Sequence, residues 1–272
     1  MRKSSLLIFV LLISFNLQAQ IYWLSDFKQS KTVAKDMSKL ILIDFWADWC
    51  GPCKKMDADL WHLPEIQKLD ASCVCVKVNI DFDKATAMEY NLQVIPKVVL
   101  ATATGEVIWE KQGFMNAESY LSVLGSIPAN VKTLNEHIMK LEENKNDAQE
   151  NLLVGREFQQ VGKDLSNNEL KSSFLNCCEK YLTKAEKKST DLNLTEEIQL
   201  YSSLNDVYWN KDKKALKKIE KINPASKTGK LSDLRHFILA KCYKNGKDLA
   251  MFEKEKQLII TKDYLDQLDN SN

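Results

Sequence analysis

Two cysteines separated by two residues, Cys50-Gly51-Pro52-Cys53, follow closely on a near-continuous apolar run, Leu40-Ile41-Leu42-Ile43-Asp44-Phe45-Trp46. No other feature constrains this chain as much. The run suits a strand covered on both faces, as in α/β sheets. From Cys53 to Leu69 the spacing predicts a helix, with Pro64 as a candidate break. Two cysteines so spaced can close a small disulfide at a helix start. There the first lies near free backbone N–H groups and the positive end of the helix dipole. Both favour the thiolate and lower its pKa from about 8.5 to roughly 7 or below. The thiolate is the species that attacks a disulfide, so Cys50 is the expected nucleophile. Cys53, one turn into the helix, is the expected resolving cysteine. Pro52 suits the first helical turn, where a missing N–H costs little. Gly51 leaves room for a partner chain, and Trp49 offers a flat apolar surface beside the sulfur pair.

The competing reading of the cysteine pair is half of a zinc site. Such a site needs a second ligand pair. Cys73-x-Cys75 and Cys177-Cys178 lack the usual spacing, and His62, His137 and His236 are scattered. No metal is expected, and no small-molecule cofactor beyond the redox-active disulfide itself.

Around this segment the elements alternate. A helix is expected from Asp26, with Phe27, Val33, Ala34 and Met37 facing inward. A strand is expected over 73–80, a short helix over 83–91, strands over 94–100 and 106–112 joined at Thr104-Gly105, and a helix over 116–124. Alternation of this kind argues for an α/β layer fold. Beyond Pro128 the texture changes to helical spacing only, with polar breaks such as Lys145-Asn146-Asp147 and Asn245-Gly246-Lys247. Helical hairpins, weakly repeat-like, are the expected arrangement, with the last helix running over 249–268. The expected division is a signal peptide over 1–19, an α/β domain over 20–128 and an all-α helical-hairpin domain over 129–272.

Residues 40–56, including Trp49-Cys50-Gly51-Pro52-Cys53-Lys54, resemble the active-site segment of the thioredoxin family. The resemblance extends over roughly residues 23–127 and covers none of the C-terminal half. Residues 48–69 are also loosely similar to the soluble thioredoxin-like domains of periplasmic thiol:disulfide interchange proteins. The resemblance implies a thioredoxin-like fold, a central mixed sheet flanked by helices, and thiol–disulfide oxidoreductase activity on protein disulfides. It implies that Asp44 is the buried acid beneath the disulfide, with a raised pKa and a role as proton acceptor for Cys53. It implies that Lys77 faces that acid. Ile95-Pro96 matches the family's cis-proline loop, whose backbone would pair with an extended substrate. Gly113 matches a glycine flanking the substrate groove. The Gly51-Pro52 pair resembles that of reducing thioredoxins, which favours a reductant over an oxidant or isomerase. A non-catalytic binding module is the alternative of a different class.

The remaining cysteines read as structural. Cys73 and Cys75 share one strand face with Lys77. Of Cys177 and Cys178, neighbours on a helix, one is expected buried and one partly exposed. Cys242 reads as core. Arg2, Lys3, the apolar stretch 6–15 and Ala19 together read as an export signal, which places the mature chain in an oxidising compartment, expected to be the periplasm. No cysteine follows the signal closely, so lipidation is not expected. A periplasmic reductant needs a membrane or thioredoxin-type electron donor. With a net charge of +1 and no long basic block, nucleic acid is not an expected partner. The helical half is expected to bind a partner protein or a second copy.

Overall fold

The computed structural model describes residues 21–223 and 228–270. The expected signal segment lies outside the described residues. The first half forms a five-stranded sheet in the order β1-β3-β2-β4-β5. Its strands are β1 (Trp23–Leu24), β2 (Leu40–Trp46), β3 (Cys73–Asn79), β4 (Lys97–Ala101) and β5 (Val107–Gln112). Strands β1, β2 and β3 run parallel to one another, while β4 is antiparallel to β2 and to β5. The sheet is therefore mixed, as expected. The two-residue β1 is an addition to the sequence reading; so short a strand leaves no periodicity to detect.

Register determines which side chains share a face. Leu40, Leu42 and Asp44 lie opposite Cys73, Cys75 and Lys77. Because strand side chains alternate, Leu40, Leu42, Cys73, Cys75, Val98 and Leu100 line one face. They pack there with Leu60, Trp61, Tyr120 and Leu124. Ile41, Ile43, Phe45, Val74, Val76 and Val99 line the other face, under Phe27 and Ala34 of α1 (Phe27–Met37). The side chain of Asp26 caps α1 by accepting a hydrogen bond from Gln29 N–H.

The helix expected over 53–69 is not continuous. Helix α2 (Gly51–Met56) runs into a π-helical turn, Asp57–Trp61, and the chain breaks at His62-Leu63-Pro64-Glu65. A 3₁₀ turn (Ile66–Lys68) and the short α3 (Leu69–Ser72) lead into β3. Pro64 cannot extend the preceding helix. The π turn inserts one residue per turn and rotates Trp61 onto the sheet. Helices α4 (Lys84–Glu89) and α5 (Glu118–Leu124) complete this half. Strand β4 begins only at Lys97, after the cis Ile95-Pro96 peptide, rather than at Val94.

Helices α6 (Lys132–Glu143), α7 (Ala148–Lys163), α8 (Asn168–Lys188), α9 (Leu192–Tyr208), α10 (Asp212–Lys221), α11 (Lys230–Asn245), α12 (Leu249–Lys256) and α13 (Lys262–Asn270) follow. Asp147, Asn167, Asp191 and Asp248 cap α7, α8, α9 and α12. The single helix expected over 249–268 is two. Asp233 of α11 accepts hydrogen bonds from the backbone of Ile260 and Thr261 and from the Thr261 hydroxyl, and so holds the chain in a turn between α12 and α13. Helices α7 and α8 approach closely at Gly155 and Gly162, where a Cβ would meet Leu182 and Phe174 at 3.0 and 2.9 Å.

The helices do not stand apart from the sheet. Ile127, Val131, Leu134, Leu152, Phe158, Phe174 and Cys177 belong to the same buried cluster as Leu40, Val98 and Trp109. A second cluster, centred on α9 to α13, holds Leu204, Ile219, Phe237 and Phe252. Polar contacts reinforce the junction. Trp109 Nε1 of β5 donates to Glu169 of α8 at 2.7 Å, and Lys180 and Tyr181 of α8 both reach Glu106. Asn135 of α6 donates to the Lys39 carbonyl at 3.1 Å. Among the described residues, no helix is long and apolar enough to cross a membrane.

Candidate functional site

Cys50 and Cys53 form a disulfide at the end of β2, where the chain turns into α2. Cys50 is the N-cap of α2, and its Sγ accepts a hydrogen bond from Cys53 N–H at 3.1 Å. The sulfur thus sits where the first turn of the helix presents its donors. Pro52 occupies the first turn, as expected. Both cysteines are nearly covered, packed with Ala47 and against Trp46, Ile80 and Ile95. Trp49 is 67% exposed, and its Nε1 donates to Asp81 Oδ2 at 3.0 Å. That bond ties the loop before the disulfide to the loop after β3. Gly51 and Pro52 are exposed, and a Cβ on Gly51 would meet nothing within 4 Å, so space is open at Gly51.

Asp44 lies two residues upstream of the strand end, on the face that carries the buried cluster of α2 and the helices. It is buried. Trp61 Nε1 donates to its Oδ2 at 3.0 Å, and Lys77 Nζ stands 3.5 Å from the same oxygen. Its Oδ1 is buried and accepts no hydrogen bond from the described residues. Burial pushes the Asp44 carboxyl up to about 6; Lys77 opposes that rise and Asp57 adds to it. Lys77, directly across from Asp44 in register, also pairs with Asp57. Its ammonium lies 5.2 Å from the Trp23 ring centre and 5.8 Å from that of Trp46. Trp23 meets Trp61 edge to face at 5.1 Å.

Ile95-Pro96 is cis, and Ile95 packs against the cysteine cluster. Gly113 N–H donates to the Pro96 carbonyl at 2.7 Å, and Gly113 adopts a φ of +74°, a conformation that favours glycine. The Gly113 carbonyl accepts from the Tyr120 hydroxyl at 2.5 Å. The fold therefore brings Cys50, Cys53, Ile95, Pro96 and Gly113 to one end of the sheet, while Asp44 and Lys77 face one another in register on β2 and β3.

Asp57, Trp61, Trp23 and Tyr120 also belong to this neighbourhood, and the sequence reading missed them. Asp57 lies one turn beyond Cys53, a spacing that could have flagged it. Trp61 reaches Asp44 from the end of the π turn, which leaves no sequence signal.

The other cysteines are buried and free. Burial pushes the Cys73 and Cys177 thiols up to about 12, and raises Cys75 and Cys178 as well. Cys73 and Cys75 share the Lys77 face, as expected. The expectation that one of Cys177 and Cys178 is partly exposed is corrected: α8 is covered on one side by α7 and α9 and on another by the sheet, so both are buried. Among the described residues, no group of three or more His, Cys, Asp or Glu side chains could hold a metal ion.

The thioredoxin family model matches residues 22–124. Thioredoxin from Bacillus subtilis is 35% identical over 86 residues, covering 32% of this chain and 80% of that protein. Thioredoxin from Porphyra purpurea is 29% identical over 116 residues, 42% of this chain and 92% of that protein. A solved DsbH oxidoreductase aligns with 40% of this chain and 85% of its own, at 20% identity and a TM-score of 0.36. The matched region contains the sheet, the Cys50–Cys53 disulfide and the cis-proline loop, and the chain belongs to the thioredoxin family of thiol–disulfide oxidoreductases.

Proposed function

We propose that the protein is an exported reductant of protein disulfides, working in the periplasm. The observation that carries the chemistry is the cysteine pair at the capped start of α2, which follows the strand that bears a buried acid with one oxygen unengaged. In the reduced protein the Cys50 thiolate attacks a substrate disulfide. A Cys50–substrate disulfide forms, the substrate S–S bond breaks, and one substrate thiolate leaves. Cys53 gives its proton to Asp44, directly or through water, and its sulfur attacks Cys50 Sγ. The Cys50–Cys53 disulfide closes and the second substrate thiolate departs. The substrate gains two electrons and the protein loses two. A membrane or thioredoxin-type dithiol donor then restores the pair.

The reducing direction is supported by how few donors face the Cys50 sulfur. Strong oxidants of this kind stabilise their reduced form. Here Cys50 Sγ accepts a bond from Cys53 N–H, and Pro52 has no N–H to offer. Lys77 is shared between two carboxylates. Trp49, Gly51, Pro52, Ile95, Pro96 and Gly113 form the substrate face. Ile95 presents backbone groups to an extended chain, in the manner of an added strand. The helical half, which exposes Leu192, Leu249 and Ile260, binds a partner protein or a second copy.

Replacing Cys53 by Ser tests the assignment. The account expects a stable mixed disulfide with a protein substrate, attached at Cys50. Biological activity that survives Cys50→Ser would instead make the fold a non-catalytic binding module.

A further inference from the structure

The helical half reaches the substrate face through a short chain of contacts. At its start, Glu169 in the first turn of α8 accepts the Trp109 indole N–H at 2.7 Å. Trp109, buried on β5, meets the Tyr120 ring edge to face, with centres 6.4 Å apart. Tyr120 of α5 is fully buried. Its hydroxyl donates to the Gly113 carbonyl at 2.5 Å, while the Gly113 N–H donates to the Pro96 carbonyl at 2.7 Å. Lys111 holds the same region from the other side: its Nζ donates to the Ser119 carbonyl at 2.8 Å and lies 5.0 Å from the Tyr120 ring centre. Phe114, next to Gly113, also packs against Tyr120, at 5.9 Å.

We infer that α8 positions the Gly113 wall of the substrate groove, with Glu169, Trp109 and Tyr120 as positioning residues. The inference rests on the reading of Gly113 as part of that groove. Gly113 has no side chain to anchor it, and a Cβ there would meet nothing within 4 Å. Its place is therefore set by its two backbone hydrogen bonds, one to Pro96 and one from Tyr120. Tyr120 in turn packs edge to face on Trp109, and the Trp109 ring is bonded at its polar end to Glu169. The contact to α8 thus bears on the groove as well as on the junction between sheet and helices. It gives the helical half a part in substrate binding that requires no contact with the substrate.

The full-length chain carrying Glu169→Ala, Glu169→Gln or Tyr120→Phe tests this. KM is measured with insulin as the protein disulfide, alongside the rate with a small aromatic disulfide that does not fill the groove. The Gly113 amide is followed by NMR. Glu169→Ala and Tyr120→Phe are expected to raise KM for insulin roughly two- to tenfold, the range that loss of one hydrogen bond supports. Glu169→Ala is expected to leave the small-disulfide rate unchanged, and Glu169→Gln, which keeps an acceptor, to restore KM. The Gly113 amide is expected to move in both weakened variants. An unmoved Gly113 amide in Glu169→Ala overturns the link. A moved amide with unchanged KM shows that the link exists and overturns the reading of Gly113 as a groove wall.

Discussion

Asp44 and Lys77 face one another across β2 and β3, in register, with the Lys77 ammonium 3.5 Å from Asp44 Oδ2. The pair is unequal, because Lys77 also binds Asp57 while Asp44 remains buried with one oxygen unengaged. Burial raises the pKa of Asp44 against the opposing pull of Lys77, and the expectations below rest on that balance.

Asp44 should lower the stability of the protein at neutral pH. Its carboxyl titrates at about 6 in the fold against 3.8 in a free chain. Between those values the folded state binds more protons than the unfolded state, so stability falls as pH rises through the window. The difference corresponds to roughly 3 kcal/mol once Asp44 is fully ionised. Asp44→Asn should therefore stabilise the protein at pH 8, by up to about that amount, and have little effect at pH 3. Denaturant unfolding at the two pH values measures this. The same substitution should slow release from the Cys50 mixed disulfide.

Asp57 should help keep Asp44 protonated. Removing its charge frees Lys77 to serve Asp44 alone, and removes a neighbouring negative charge. In Asp57→Asn the Asp44 carboxyl should titrate lower, while Asp57→Glu should preserve the native midpoint. Other groups that bear on the result are Lys77 from β3 and Tyr120 from α5, whose own phenol is raised in part by Asp44. Carboxyl NMR titration gives the answer directly. An unchanged midpoint in Asp57→Asn would mean that Lys77 already acts fully on Asp44.

The five remaining cysteines should be silent in the native state. All are buried, and burial raises every one of the thiols. Thiolates, not thiols, react with alkylating agents and aromatic disulfides. The oxidised native protein should therefore show almost no titratable thiol, and five after unfolding without reductant. Rapid native reaction at Cys177 or Cys178 would contradict the packing of α8.

Gly162 should resist replacement. Alanine is favoured over glycine inside a helix by about 1 kcal/mol. A Cβ at Gly162, however, would stand 2.9 Å from the Phe174 Cβ, which is fixed to the α8 backbone. Overpacking of this kind costs roughly 1–3 kcal/mol. Gly162→Ala should thus lower stability despite its better helix propensity, as thermal unfolding would show.

Much of this site could be read from the sequence because its parts are local. Cys50, Pro52 and Cys53 lie within one helical turn, and the runs over 40–46 and 73–79 are apolar at most positions. Lys77 and Asp44 were expected to face each other by resemblance, and the register brings them together. What stayed hidden depends on distant contacts. Trp61 meets Asp44 through a π turn that no spacing rule foretells. The turn at 257–261 forms because Asp233, far back in the chain, captures Ile260 and Thr261. The burial of both Cys177 and Cys178 needs helices on one side of α8 and a sheet on another, whereas one helix read alone suggests a single buried stripe.

The reduction potential of the Cys50–Cys53 pair, measured in the mature full-length protein by equilibration against thiol buffers, tests the central claim most directly. The account predicts a two-electron couple near −270 mV, in the range of reducing thioredoxins. A value of about −120 to −180 mV would mark an oxidant or isomerase and contradict the proposed direction.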